Sequence, residues 1–224
     1  MKNEFAPSLM CMDFLKIEEQ ISILNDRIDM YHADIMDGHF CKNITLSPDF
    51  IKSFAMVAKK PIDCHLMTTD PMDWIDSLAE AGVTYISPHA ETINSDAFRV
   101  LNYIKSKGCK TGVVLNPATP LSYSEHYLNR IDLLTIMTVD VGFAGQPFIE
   151  EMLEKIKEAK CLKEEHGYSY KIQIDGSCNK NTYKRLMEAG AEVLVLGTSG
   201  LFGLDNDLNC ACDKLHHEFK NAIK

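Results

Sequence analysis

Short apolar runs of strand-like composition recur eight times along the chain, at "EFAPSL", "MYHADIM", "PIDCHLM", "TYISPHA", "KTGVVLN", "LLTIMTV", "YKIQID" and "EVLVLG", and amphipathic stretches lie between them. This alternation narrows the folding options, because successive strands separated by helices are joined by crossovers and pair in parallel. Residues 13–27 place Phe14, Leu15, Ile17, Ile21 and Leu24 at helical spacing behind a capping Asp13. Residues 71–81 open with Pro71 after Asp70 and close on "AEAG". Residues 179–190 take Asn179 or Asn181 as cap, carry Tyr183, Leu186 and Met187, and close on "EAG". Both "EAG" endings, at 80–82 and 188–190, lead straight into a strand, with Gly supplying the left-handed residue after the helix. Eight strands, each with its helical segment, within 224 residues predict an α/β fold, a single (β/α)8 TIM barrel over residues 1–224. An open, doubly wound sheet is the structural rival, and the count and even spacing of the strands favour the barrel. No Pro/Gly/Ser-rich linker or low-complexity segment divides the chain.

The formal net charge is -9 and no run of Lys and Arg stands out, which argues against a nucleic-acid partner. An acidic chain can still hold a small phosphate through backbone N–H groups and helix N-termini. The eight cysteines, at 11, 41, 64, 109, 161, 178, 210 and 212, form no CxxC pair and are irregularly spaced, as expected of reduced thiols in a cytoplasmic protein. Cys210 and Cys212 lie one residue apart but lack the further Cys or His spacing of a metal site. The opening "MKNEFAPSLM" has no leader pattern, and no apolar run approaches the roughly 20 residues that span a membrane. A soluble protein without a membrane partner is expected.

The polar residues of the strands point to a site. In "YHADIMDGHF" side chains alternate, so His32, Asp34 and Met36 share one face and Tyr31, Ala33 and Ile35 the other. In "PIDCHLM" Asp63, His65 and Met67 share a face, and "IQIDGS" ends its strand at Asp175. In a barrel the C-terminal strand ends form the active face, so two histidines and two carboxylates converge there from three strands. Taken singly, a strand histidine is most often a hydrogen-bonded structural residue and a strand-end aspartate a turn residue. Together they make a metal-ligand inventory, because two carboxylates buried side by side need a cation or proton to offset them.

Three glycine segments follow consecutive strands: "VGFAGQ" (141–146), "DGS" (175–177) and "GTSGLF" (197–202). Loops after the last strands of this fold commonly cradle a phosphate, with glycine letting backbone N–H groups approach the anion. Met36, Met67 and Met137 fall on the inward parity of their strands, either as core filler or as a soft apolar wall that keeps water from a reactive intermediate.

The motifs "APSLM" (6–10), "HADIMDGHF" (32–40), "DCHLM" (63–67), "MTVDVGFAGQPF" (137–148), "IDGSCN" (174–179) and "GTSGLF" (197–202) together resemble the ribulose-phosphate 3-epimerase family over essentially the whole chain. Within it, "HAETIN" (89–94), Ala144 and "DGSCN" are most similar to the D-allulose-6-phosphate 3-epimerase branch. The resemblance implies a barrel of the ribulose-phosphate-binding type. It implies one divalent metal per subunit (Zn, Mn, Co or Fe) on His32, Asp34, His65 and Asp175, with Asp34 and Asp175 as the catalytic acid/base pair. Ser8 and His65 would contact the sugar. The phosphate would lie on Gly142, Phe143, Ala144 and Gly145, on Asp175, Gly176 and Ser177, and on Gly197, Thr198 and Ser199. Such enzymes are typically homo-oligomers, here a dimer or hexamer. The chain departs from the family pattern at Val141 (usually Pro), at Cys41-Lys42 (usually Val-Pro) and at residues 88–90, which read Pro-His-Ala. None of these removes a ligand or an acid/base group, and the first two bear on loop rigidity and substrate preference.

The expected reaction is epimerisation at C3 of a 2-keto sugar phosphate, with D-allulose 6-phosphate giving D-fructose 6-phosphate. One carboxylate removes the C3 proton, the other returns one on the opposite face, and a cation stabilises the enediolate between. The alternatives are a D-ribulose 5-phosphate/D-xylulose 5-phosphate 3-epimerase using the same residues and a non-catalytic phosphosugar-binding protein. A phosphate-barrel decarboxylase would need a Lys-Asp array, and no Lys falls at the strand ends.

Overall fold

The computed structural model describes residues 3–224. The strands are Glu4–Pro7 (β1), Tyr31–Met36 (β2), Ile62–Met67 (β3), Tyr85–Pro88 (β4), Lys110–Leu115 (β5), Leu133–Met137 (β6), Lys171–Asp175 (β7) and Val193–Leu196 (β8). They pair in parallel in the order β1-β8-β7-β6-β5-β4-β3-β2. Between β1 and β2 the ring is drawn together by one isolated parallel bridge, Ser8 with His32, and by the Phe5 carbonyl accepting from the N–H groups of Asp29 and Met30. The result is a nearly closed barrel rather than an open sheet.

The α-helices are Ile17–Leu24 (α1), Pro48–Ala55 (α2), Met72–Glu80 (α3), Ala90–Ile93 (α4), Ala97–Ser106 (α5), Met152–His166 (α6), Tyr183–Ala189 (α7) and Leu208–Ala222 (α8). The segment expected at 71–81 forms α3. The segment at 13–27 is corrected: Asp13 caps a 3-10 turn, Phe14–Lys16, by accepting from the Leu15 N–H at 3.0 Å, and α1 starts only at Ile17. The tighter turn takes Leu15 off the apolar stripe, leaving it 95% exposed while Ile21 and Leu24 are buried. At 179–190, α7 starts at Tyr183 with Thr182 in the cap position, because Asn179 is engaged in the preceding loop. The connection from β5 to β6 contains two 3-10 segments, Leu121–Tyr123 and Glu125–Arg130, instead of an α-helix. Pro117 and Pro120 stand just before them and disfavour a regular helical start.

Strand alternation divides the apolar residues into two shells. Tyr31, Ala33 and Ile35 face outward into the main core with Ile51 and Phe54 of α2, and each fully buried aliphatic side chain there contributes about 1.5–3 kcal/mol. Ala6, Tyr85, Leu133, Val193 and Val195 form a separate inner cluster that fills the lower barrel. Above it the interior turns polar and narrow. A Cβ on Gly112 of β5 would lie 1.9 Å from Ser87 Oγ of β4, so only glycine lets these strands keep that hydroxyl between them. Ser87 Oγ donates to Asp63 Oδ1 of β3.

Candidate functional site

The parallel register of β2 and β3 sets His32 beside Asp63, Asp34 beside His65 and Met36 beside Met67. The register of β6 and β7 sets Met137 beside Asp175. Polar and apolar residues therefore reach the upper barrel in layers, each layer fixed by strand pairing rather than by a flexible loop.

The top polar layer brings the four expected ligands together. His32 Nε2 is 3.3 Å from Asp34 Oδ1 and 3.5 Å from Asp175 Oδ2. His65 Nδ1 is 3.2 Å from Asp34 Oδ1 and 3.4 Å from Asp175 Oδ2. One donor atom from each residue lies within 4.8 Å of all the others. Both imidazoles are fully buried. His32 Nδ1 is 2.9 Å from Asp63 Oδ2, a contact that places the ring proton on Nδ1 and turns the Nε2 lone pair toward the cluster. That Nε2 is buried with no hydrogen-bond partner. Two nitrogens and two carboxylate oxygens around an unpartnered lone pair fit a divalent first-row ion.

The electrostatics agree. Burial opposes a charged imidazole, yet the Asp34, Asp175 and Asp63 carboxylates outweigh it and raise His32 well above its ordinary value. His65 is raised in the same way, against burial, by Asp175 and Asp34. Burial likewise opposes ionised Asp34 and Asp175, yet the two imidazoles lower both carboxyl groups. The four groups attract positive charge, carried by imidazole protons or by a cation bound between them.

Ser8 Oγ donates to Asp34 Oδ2 at 2.6 Å, which leaves Oδ1 facing the histidines. Asp34 and Asp175 form part of the floor of an open cleft. Ser8, Met36, Met67 and Met137 line it too. His32 and His65 lie beneath that surface, so the expected contact of His65 with a sugar is shielded by the carboxylates.

The three glycine segments meet at the rim, where Gly142, Phe143, Ala144 and Gly145 line one side and Gly176, Ser177, Gly197, Thr198 and Ser199 the other. Side-chain bonds tie them together. Ser177 Oγ donates to the Gln146 carbonyl, and Asn179 Nδ2 bridges the Ser177 carbonyl at 3.0 Å and Ser199 Oγ at 3.2 Å. Gly176 adopts φ +125, and a Cβ there would lie 2.8 Å from Val139. Ser177, at φ 50, is the only non-glycine residue with positive φ among the described residues. That left-handed backbone, which side chains rarely adopt, sits where Ser177 joins the loops of Gln146 and Ser199.

Two departures from the family pattern meet each other. Cys41 and Val141 join Met36, Met67, Met10 and Phe40 in one apolar cluster at the mouth, and Asn43 Nδ2 donates to the Gly142 carbonyl at 2.8 Å. Residues missed in the sequence as members of the site are Cys11, Gln146 and Cys178 on the cleft wall, and Asp63, His89 and Glu91 behind it. For His89 the signal was present: it continues the inward parity of Tyr85 and Ser87.

The model of the ribulose-phosphate 3 epimerase family matches residues 4–202. A ribulose-phosphate 3-epimerase of Bacillus subtilis (strain 168) is 41% identical over 196 residues, covering 87% of this chain and 90% of the relative. A ribulose-phosphate 3-epimerase of Aquifex aeolicus (strain VF5) is 38% identical over 219 residues, 97% of both chains. The crystal structure of 3-hexulose-6-phosphate synthase from Salmonella typhimurium superposes with a TM-score of 0.67 at 14% identity, covering 98% of this chain and 99% of that one, and shares the fold.

Proposed function

The chain belongs to the ribulose-phosphate 3-epimerase family, and from that premise we propose that it interconverts D-ribulose 5-phosphate and D-xylulose 5-phosphate. It is an isomerase that inverts C3 of a sugar phosphate. The observation that carries the reading is the convergence of two carboxylates on the floor of a cleft rimmed by glycine loops with two buried imidazoles beneath them.

Asp34 and Asp175 are the proposed acid/base pair. They reach the cleft from β2 and β7, which β1 and β8 separate around the ring, so a substrate between them can be met on two faces. One carboxylate takes the C3 proton, the other delivers a proton to the opposite face, and the roles exchange in reverse. Ser8 fixes the rotation of the Asp34 carboxylate through its 2.6 Å hydrogen bond. A divalent cation held by His32, Asp34, His65 and Asp175 would polarise the C2 carbonyl and so acidify the C3 hydrogen. Met36, Met67 and Met137 would keep water from the planar intermediate. Backbone N–H groups of the glycine loops would hold the phosphate.

The five-carbon substrate is supported by likeness to relatives of that name over nearly the whole chain. D-Allulose 6-phosphate, giving D-fructose 6-phosphate, is the second reading. Its sequence marks divide in the structure. Residues 89–94 do not line the cleft and cannot gauge substrate length, whereas Ala144, Ser177 and Cys178 do line it. Exchange of the C3 hydrogen followed by NMR in heavy water, with both sugar phosphates in parallel, tests the proposal. Faster exchange into ribulose 5-phosphate supports it, faster exchange into allulose 6-phosphate selects the second reading, and none into either leaves a phosphosugar-binding protein.

Among the described residues no helix is long and apolar enough to cross a membrane. A cytoplasmic setting belongs to the proposal, since the eight cysteines are all unpaired, as suits a reducing compartment. So does a homo-oligomer: Leu15, Ile44 and Met56 are 95, 76 and 84% exposed, apolar surface that a second copy could cover.

A further inference from the structure

Behind His65, away from the cleft, lies a second buried histidine with its own carboxylate. His65 Nε2 is 2.8 Å from His89 Nε2. The other nitrogen of that ring, Nδ1, is 3.2 Å from Glu91 Oε2. Glu91 Oε1 is occupied in turn: it accepts from the Asn116 backbone N–H at 3.0 Å and from the Thr119 hydroxyl. The loop carrying those donors is pinned by Lys155 of α6, whose Nζ donates to the carbonyls of Asn116, Pro117 and Thr119 at 2.9, 2.6 and 2.7 Å. Lys155 is itself 9% exposed, a buried cation close to the half-buried Glu91 carboxylate.

Two imidazole nitrogens 2.8 Å apart need one proton between them, and the ring that supplies it must accept at its other nitrogen or be charged. Glu91 settles the direction. An ionised carboxylate only accepts, so His89 must carry its proton on Nδ1 and accept at Nε2. His65 must then donate from Nε2, so that Nδ1, 3.2 Å from Asp34, is the nitrogen that can yield its proton and turn a lone pair to a cation.

We propose that Glu91 is a positioning residue that sets the tautomers of His89 and His65 in series, so that His65 presents Nδ1 to a divalent cation. The inference rests on the reading of His65 as a ligand. It makes a specific demand on Glu91→Gln, which conserves shape. The Asn116 N–H is a backbone donor and cannot reverse, so the new amide must direct its oxygen there and its NH2 at His89. His89 then donates from Nε2, His65 accepts at Nε2, and a neutral His65 must keep its proton on Nδ1, aimed at the cation.

The test combines ¹⁵N-histidine NMR of the metal-free protein with chelator-competition affinities for Mn²⁺ and Zn²⁺. The parent should show His65 protonated at Nε2, whether or not Nδ1 also holds a proton toward Asp34, and His89 protonated at Nδ1 alone. In Glu91→Gln the proton between the rings should belong to His89 Nε2 and His65 Nε2 should carry none, with affinity falling about 10–100-fold. Thr119→Val keeps the carboxylate and the Asn116 contact and should leave tautomers unchanged and affinity within about 3-fold of the parent, well short of the loss of about 10–100-fold expected for a lost outer-shell partner. The opposite tautomers in the parent overturn the proposal, even if Glu91→Gln does not fold. Parental shifts and affinity in Glu91→Gln overturn it also, as do equal losses in both variants, which would mark a merely structural role. A parent that binds neither ion refutes the metal reading instead, while the tautomers of the ion-free protein still decide the series.

Discussion

His32 and Asp63, neighbours in the β2–β3 register, share a hydrogen bond of 2.9 Å between fully buried side chains. The contact leaves His32 one free direction, since Nδ1 is held and only Nε2 faces the cluster, as the proposed metal site requires. Asp63→Ala should therefore weaken divalent-metal binding by about 10–100-fold, measured by competition with a chromogenic chelator. Asp63→Asn should bind nearly as well as the parent. Its amide oxygen can take the histidine proton, and the Ser87 hydroxyl can turn to accept from the NH2. Equal loss in both variants would show that charge, not proton direction, is what Asp63 supplies.

Gly112 leaves no room for a side chain, with Ser87 Oγ 1.9 Å from where a Cβ would stand. Gly112→Ala should lower stability to urea by about 1–3 kcal/mol through overpacking. Adding Ser87→Gly should recover part of that loss, a positive coupling in a double-mutant cycle. Strict additivity would mean that the barrel relaxes elsewhere.

Asp34→Asn and Asp175→Asn should each abolish nearly all turnover while the cooperative unfolding transition persists. Metal content must be measured on the same samples, because both carboxylates sit in the donor cluster. Near-normal turnover in either loaded variant would sink the two-carboxylate scheme.

Removal of the metal with a chelator should stop epimerisation and C3 exchange together, and readdition of Mn²⁺, Zn²⁺, Co²⁺ or Fe²⁺ should restore both. Full exchange in protein shown by elemental analysis to be metal-free would remove the Lewis acid from the reaction.

Asp37, just past β2, accepts from the N–H groups of His39 and Phe40 at 2.8 Å each and from the Thr69 N–H at 2.7 Å. Burial works against its ionisation, but the donors from Thr69, Phe40 and His39 prevail and bring the carboxyl group to about 2. The folded value lies below that of an unfolded aspartate, near about 3.9. Its contribution is therefore complete above about pH 4 and lost as pH falls toward 2. Thermal midpoints followed from pH 5 to 2 should fall less steeply for Asp37→Asn than for the parent, starting from a lower plateau.

Much of the site was legible because strand parity is a period of two residues. His32 and Asp34 had to share a face, as did Asp63, His65 and Met67, and parallel register then stacked them. The barrel itself followed from repetition of one unit. What parity could not give is contact between elements. Nothing in "HAETIN" places His89 against His65 or Glu91 against the Asn116 N–H, since both depend on where β5 and its following loop lie. The helix at 13–27 was misjudged because Phe14 and Leu15 fit an apolar helical stripe by spacing alone. Asp13 captures the Leu15 N–H and starts a 3-10 turn first. Cys41 and Val141, separate oddities in the sequence, join one apolar cluster only when their loops fold over the same methionines.

The seam between β1 and β2 has a bearing on how the protein is made. β1 owes its place chiefly to β8: Glu4 through Pro7 pair with Val193 through Leu196, and the Ser8 N–H donates to the Leu196 carbonyl at 3.0 Å. Ser8 in turn holds Asp34. On the ribosome His32, Asp34 and His65 emerge early, but the hydroxyl that orients the proposed base cannot settle until β8, Val193–Leu196, arrives. A nascent chain halted before β8 would carry three of the four metal-site residues, or all four if it already includes Asp175, without a seated Asp34. The seating of the proposed base thus waits on the strand that closes the ring.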